Sequence, residues 1–286
     1  MQNQFLRPKK LISNPIFKLL VYANIFISLC ASSQVLLTYV VFALPLNYNN
    51  YAYLAFVFLS TYLQYNMQRG YLINQNNLNS DRSLWLIKYK KPLFFGLAIS
   101  LISLLFLCNN LSSLSIMIMV SAEVISTLYY LPPFNLRKHG YIKPFLISAI
   151  WVISCTVVPL IENKILSTHH SFFIFSQFLF IAVLCILFDL KDMATDLSQG
   201  VNTYANNFGA GKTKMICTIL ILISGYCFFA FAQNSVFIVA MIFILLTTLL
   251  TVLMSKKEKH PFYFYIWVDG LLLLEGIVFF LVSKIT

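Results

Sequence analysis

The sequence predicts an all-α polytopic membrane protein, a bundle of about nine transmembrane helices. The prediction rests on an apolar composition, a scarcity of charge and long uninterrupted apolar runs. Hydrophobic residues fill 59% of 286 positions and mean hydropathy is +0.80, where soluble domains hold roughly 45–50% apolar residues. Charged residues make up 10% of the chain, against about 25% in soluble domains. A helix crossing about 30 Å of hydrocarbon at 1.5 Å per residue needs roughly 20 mostly apolar residues. Lipid leaves no partner for unpaired backbone groups, so such runs must be helical. The strands of a membrane barrel would alternate apolar and polar residues over about ten positions, and these runs do not alternate.

The apolar stretches are 16–44, 51–66, 92–108, 112–131, 142–161, 171–189, 214–232, 235–254 and 262–283. The first is long enough to span with tilt, with Ser32-Ser33 as the place for a bend; no turn residues interrupt it, so a split into two tight helices is not expected. The second is short and continues through Arg69 toward Asn74 as a helix leaving the membrane. Links between stretches alternate between short or weakly basic and longer or strongly basic. With the N-terminus inside, all of the 20 Lys and Arg except Lys164 and Lys284 fall on the cytoplasmic side. Retained basic residues set orientation, so the expected topology is N-terminus in and C-terminus out, in a bacterial-type inner membrane.

That distribution also explains the net charge of +11. The basic residues, Arg7, Lys9 and Lys10 among them, sit in juxtamembrane segments facing anionic lipid headgroups, which argues against a nucleic-acid partner. No small-residue cleavage site follows a short apolar core, so the first run is expected to stay in the protein. Cys30, Cys108, Cys155, Cys185, Cys217 and Cys227 all lie in apolar runs, where free thiols behave as small hydrophobes. Their spacing suggests neither zinc nor disulfides. One membrane domain over 1–286 is expected.

The chemistry concentrates at the end of the sixth stretch. Asp189, Asp192 and Asp196, at i, i+3 and i+7, share one helical face. Asp is a poor helix former, like charges repel at these spacings, and a helix C-terminus is already partly negative. A divalent cation would relieve all three costs. Carboxylates with substrate phosphates suit Mg²⁺, making the three Asp residues candidate metal ligands. The plainer alternative is a solvated acidic helix end paired with Lys191 and nearby loop cations, but ionisable residues at a membrane boundary are functional candidates by default. Downstream, Gly200 is placed to close the helix, and Gly209-Ala-Gly211 reads as a tight turn into the seventh stretch.

A second cluster, Tyr129-Tyr130-Leu-Pro132-Pro133-Phe-Asn-Leu-Arg137-Lys138, follows the fourth stretch. Arg137 and Lys138 can neutralise a diphosphate, Arg by bidentate contact and Lys as a point charge; topology-setting charge is the alternative. Glu123, Asp269 and Glu275 lie within spans, where a carboxyl normally faces a cavity or a partner. Glu123 is a candidate to line a cavity or a protonated carboxyl bonded to a neighbouring helix. His169, His170 and His260 receive no catalytic role.

These residues resemble the UbiA superfamily of intramembrane prenyltransferases over essentially the whole chain. Its second motif, D-x-x-D-x-x-x-D followed by G-x-x-T and a further Gly, is matched by Asp189, Asp192, Asp196, Gly200, Thr203 and Gly209. Tyr129, Pro132, Pro133, Leu136 and Arg137 fit the segment after the fourth helix. The resemblance implies a helical bundle around a central lipid-facing cavity, with Glu123 a candidate for its acceptor side. Also implied are Mg²⁺ holding an isoprenyl diphosphate at the cytoplasmic mouth and transfer of its prenyl chain to an aromatic or lipid-like, membrane-soluble acceptor. It implies catalytic roles for Asp189, Asp192, Asp196 and Tyr130, with Tyr129 and Tyr71 facing an allylic cation. Asn66, Arg69, Arg137, Lys138 and Lys191 would bind the substrate. The first motif, N-x-x-x-D-x-x-x-D, is altered: Asn66 is kept, while Gly70 and Asn74 replace both acids. Arg69 would then stand in for metal on that wall. The competing expectation is a non-catalytic relative that binds a prenyl lipid or supports a membrane complex. A transporter is disfavoured, since neither repeated halves nor paired broken helices are visible.

Overall fold

In the computed structural model, which describes residues 14–74 and 81–285, each of the apolar stretches is helical. The first comprises α1 (Pro15–Tyr22) and α2 (Ile25–Val41), and the next are α3 (Tyr48–Asn74), α4 (Asp81–Lys88), α5 (Lys90–Leu107) and α6 (Ser113–Leu128). The fifth stretch is α7 (Lys143–Val152) running through a π-helical turn, Ile153–Val157, into α8 (Val158–Glu162). Then come α9 (Ser171–Ser198), α10 (Tyr204–Phe231) and α11 (Ser235–Met254). A second π-helical turn, Tyr263–Val268, leads into α12 (Asp269–Val282). Among the described residues six helices are long and apolar enough to cross a membrane, and the bent α1–α2 pair adds a seventh if it is one span. Helix α3 carries Asn, Gln and Arg side chains, and α6 has 16 residues. Arg7, Lys9 and Lys10 lie outside the described residues, as does the side chain of Asn74.

Helix α2 packs against α3, α12 and the first π turn, and α9 packs against α7 and α10, with α11 joining α10 to α12. Both π turns offset backbone carbonyls from the regular ladder, which lipid would not satisfy. At the first turn side chains of other helices do so instead. Thr38 Oγ1 and Tyr53 Oη donate to the carbonyls of Cys155 and Ser154, at 2.9 and 2.6 Å. Beyond the second turn, Cys30 Sγ, Gln34 Nε2 and Ser33 Oγ donate to the carbonyls of Asp269, Leu272 and Leu273. Helices α2 and α12 approach so closely that a Cβ at Gly276 would collide with Ser33.

Glu275 accepts from Gln34 at 3.1 Å and from Gln177 at 2.9 Å, tying α2 and α9 to α12 in the core. It is a structural group. Glu275→Ala is expected to lower stability by about 1–3 kcal/mol, the usual penalty for stranding a buried donor, and Glu275→Gln by less. Thermal unfolding in detergent measures both.

The first stretch departs from expectation. It does split, and the 60° bend between α1 and α2 falls at Ala23-Asn24, not at Ser32-Ser33. Asn24 adopts the left-handed conformation, φ 61°, which Asn tolerates better than most residues. The two serines instead bond carbonyls of neighbouring helices, Ser32 to Leu54 and Ser33 to Leu273. The 67–91 link also contains α4, which seats Arg82 inside the bundle.

Candidate functional site

The acidic stripe lies where α9 leaves the bundle. The helix ends in a Schellman arrangement: Val201 N–H bonds the Asp196 carbonyl at 2.8 Å and Gly200 N–H bonds the Leu197 carbonyl at 3.1 Å. Gly200 sits at φ 68°, the left-handed cap conformation glycine supplies. Thr203 then caps α10 by accepting from Asn206 N–H, and α10 breaks at Gly209, φ 73°. Both glycines turn the chain as expected.

The stripe is shared between two lysines. Lys143 Nζ lies 2.6 Å from Asp189 Oδ1 and 3.6 Å from Asp196 Oδ2, with all three residues buried. Asp192 pairs with Lys191 at 2.9 Å. The expected Mg²⁺ site at Asp189, Asp192 and Asp196 therefore does not fit the geometry. Two of its members are turned to one ammonium and the third to another. Among the described residues no three His, Cys, Asp or Glu side chains stand together so that they could hold a metal ion. Asp189 Oδ2 and both Asp196 oxygens lack a hydrogen-bond donor, so one positive charge serves two carboxylates.

Lys143 reaches the stripe because its loop is pressed against the turn after α9. A Cβ at Gly140 would collide with the Asn202 carbonyl. Gly140→Ala is thus expected to lose about 1–3 kcal/mol of stability through overpacking. Gly70→Ala, where a Cβ meets nothing, should not lower it; thermal unfolding compares the two.

Above the stripe a mouth of about 430 Å³ is lined by Arg69, Arg82, Arg137, Lys143, Lys191 and Asp192, with Tyr129 and Tyr265 among its aromatics. It shares Tyr65, Arg69, Arg82 and Lys191 with an inner cavity of about 190 Å³, whose floor includes Trp151, Asp269 and Leu272. A side chamber of about 180 Å³ joins at Tyr65, Ile147 and Trp151, and holds Glu123 with Gln64, Gln68 and Ser126. Glu123 thus lines a cavity.

Cations crowd the mouth in different ways. Arg82 Nη2 donates to Asn24 Oδ1 at 2.6 Å and to the carbonyls of Val21 and Tyr22, and its guanidinium lies over the Tyr265 ring at 5.2 Å. Burial, together with the Arg69 charge, pulls Arg82 down to about 10, which leaves it charged at neutral pH. Lys191 lies over the same ring at 4.7 Å and donates to the Tyr265 hydroxyl. Arg69 and Arg137 pair with no carboxylate among the described residues. Arg137 is drawn in by its N–H bond to the Tyr129 carbonyl.

Several expected site residues take other positions. Asn66 spends its amide on the elbow, donating to the carbonyls of Ala23 and Tyr62 and accepting from Asn24 Nδ2; it positions α1 rather than a ligand. Lys138 is exposed and outside the mouth lining. Tyr130 is buried against Tyr71, ring centroids 5.5 Å apart, whereas Tyr129 lines both mouth and chamber. Arg69, Arg137 and Lys191 do face the mouth.

Sequence reasoning missed Lys143, Arg82 and Tyr265 as site residues. The signal for Lys143 was a lysine opening a helix just before Pro144, where the helix dipole opposes a cation unless an acid compensates.

No family model and no curated protein matches the sequence. Among solved structures the chain is similar to a UbiA homolog from Archaeoglobus fulgidus, at 13% identity and TM-score 0.66, over 93% of this chain and 99% of that one. It is also similar to a digeranylgeranylglyceryl phosphate synthase in membranes, at 15% identity and TM-score 0.62, over 95% of this chain and 99% of that one. The chain is therefore a multi-pass integral membrane protein with the fold of a UbiA homolog.

Proposed function

We propose that the protein is an intramembrane prenyltransferase of the UbiA superfamily, taking an isoprenyl diphosphate at the charged mouth and passing its prenyl chain to a membrane-soluble acceptor. The observation that carries this reading is the cationic mouth set directly over an aromatic-walled cavity. A diphosphate headgroup meets Arg69, Arg137 and Lys191, while the isoprenyl tail follows Tyr65 and Trp151 inward. In the reaction the allylic C–O bond breaks, its electron pair leaves with the diphosphate, and the acceptor bonds the freed carbon and releases a proton. Guanidinium and ammonium groups stabilise the departing charge, and neighbouring aromatic faces favour the allylic cation. Glu123 in the side chamber is placed to orient a hydroxyl or amine of the acceptor. The mouth faces the cytoplasm, the side to which the basic residues assign it.

A second reading has one observation in its favour. The acids of the stripe are neutralised internally and Gly70 and Asn74 stand at both acid positions of the first motif, as suits a non-catalytic protein that holds a prenyl lipid. Purified protein in nanodiscs, given a radiolabelled isoprenyl diphosphate and a panel of acceptors, separates the two. Saturable binding with release of diphosphate supports the transferase, binding without turnover supports the lipid carrier, and no binding rejects both.

A further inference from the structure

One buried ammonium meets two buried carboxylates between α7 and α9, and this pairing decides what the acidic stripe can hold. Mg²⁺ bound by carboxylates needs oxygens at about 2.0–2.1 Å in a near-octahedral shell. Lys143 Nζ stands 2.6 Å from Asp189 Oδ1 and 3.6 Å from Asp196 Oδ2, which is the ground such an ion would occupy. An ion placed there would meet the ammonium as a like charge at contact distance, in an interior that screens it poorly. Asp192, the remaining acid, is paired with Lys191 at 2.9 Å. We infer that Lys143 is the resident cation of the stripe, a tethered ammonium standing where a divalent ion would otherwise stand, so that these carboxylates take no divalent metal.

The chain supplies reasons for this arrangement on both sides. Lys143 is the first residue of α7, where the helix dipole disfavours a cation, and Asp196 lies in the last turn of α9, where it disfavours an anion. Each charge is in the wrong place alone and in the right place together. Asp189 and Asp196, two turns apart on one face, are spaced to bracket a single cation, and a lysine supplies it at no dependence on metal supply. Positive charge for an anionic ligand then comes from Arg69 and Arg137, which pair with no carboxylate among the described residues. The inference concerns this same site but stands whether or not the ligand there is an isoprenyl diphosphate.

The test is a titration of the full-length protein in nanodiscs with Mn²⁺ alone, following the free ion by electron paramagnetic resonance. Wild type is expected to take up no stoichiometric ion. Lys143→Gln, which leaves the carboxylates without their cation, is expected to bind one ion per chain at least about tenfold more tightly than wild type (a shift of about 1.4 kcal/mol). Lys143→Gln/Asp189→Asn should lose that gain. A Lys143→Gln protein that folds and takes up no ion overturns the inference, because a merely structural lysine would leave metal affinity unmoved. Should Lys143→Gln fail to fold, wild type decides by itself. One bound Mn²⁺ per chain that Asp189→Asn or Asp196→Asn removes refutes the inference, and none supports it. No prenyl compound enters this titration, so its result and that of the nanodisc binding assay fail separately.

Discussion

Lys143→Met is expected to destabilise the protein by about 3–5 kcal/mol, the range for breaking a buried ion pair from one side. Methionine fills a similar volume but leaves Asp189 and Asp196 facing each other without a cation. Lys143→Met/Asp189→Asn/Asp196→Asn should recover most of the loss, since replacing a whole buried ionic group by neutral residues is often close to neutral. Thermal unfolding of the single and triple variants in one detergent measures both terms. A single variant as stable as wild type would mean that the carboxylates have another source of compensation and that the ammonium is incidental.

Arg69→Ala is expected to weaken isoprenyl diphosphate binding by roughly ten- to a hundredfold, because a hydrogen bond to a charged group contributes about 1.5–3 kcal/mol. Arg69 lines the mouth and the inner cavity together and pairs with no carboxylate among the described residues. Its charge is therefore available to a ligand, whereas Arg82 is engaged by Asn24 and two carbonyls. Arg69→Lys should recover only part of the loss, since an ammonium cannot make the paired contact of a guanidinium fork. Lys138→Ala, at an exposed residue outside the lining, should bind as wild type does. Equal affinity for Arg69→Ala and wild type would remove Arg69 from the headgroup site.

Hydropathy made the helical stretches legible, because spanning lipid forces both length and composition. It could not show where the first stretch bends. Ser32 and Ser33 look like interruptions, but each hydroxyl finds a carbonyl on a neighbouring helix, and the backbone runs straight through them. The bend depends on Asn24 holding a left-handed conformation against Asn66 and Arg82, partners far away in sequence. The acidic stripe was legible from its spacing, and the cation that meets it was not. Lys143 reads as one more juxtamembrane charge until α7 is packed on α9. Helix α4 was missed because eight residues are too few to display a convincing period in a polar link. The π turn that brings Tyr265 to the mouth has no sequence signature comparable to a proline or a cap. Asn66 was expected at the substrate, and its amide is turned to the elbow of α1 and α2, since a spacing motif does not say which way an amide turns.

The separation of Lys143 from Asp189 by 46 residues has a consequence for biogenesis. Synthesis runs from the N-terminus, so the fifth stretch reaches the membrane before any acid of the sixth has been made. On the topology expected from the basic residues, Lys143 is in that interval an unpaired charge on the cytoplasmic side and serves as a retention signal that orients its segment. Arrival of the sixth stretch then converts the address label into an internal counter-ion. A lysine that first tells the insertion machinery which way a segment points ends as part of the site, and a reversed fifth segment would leave the stripe without its cation.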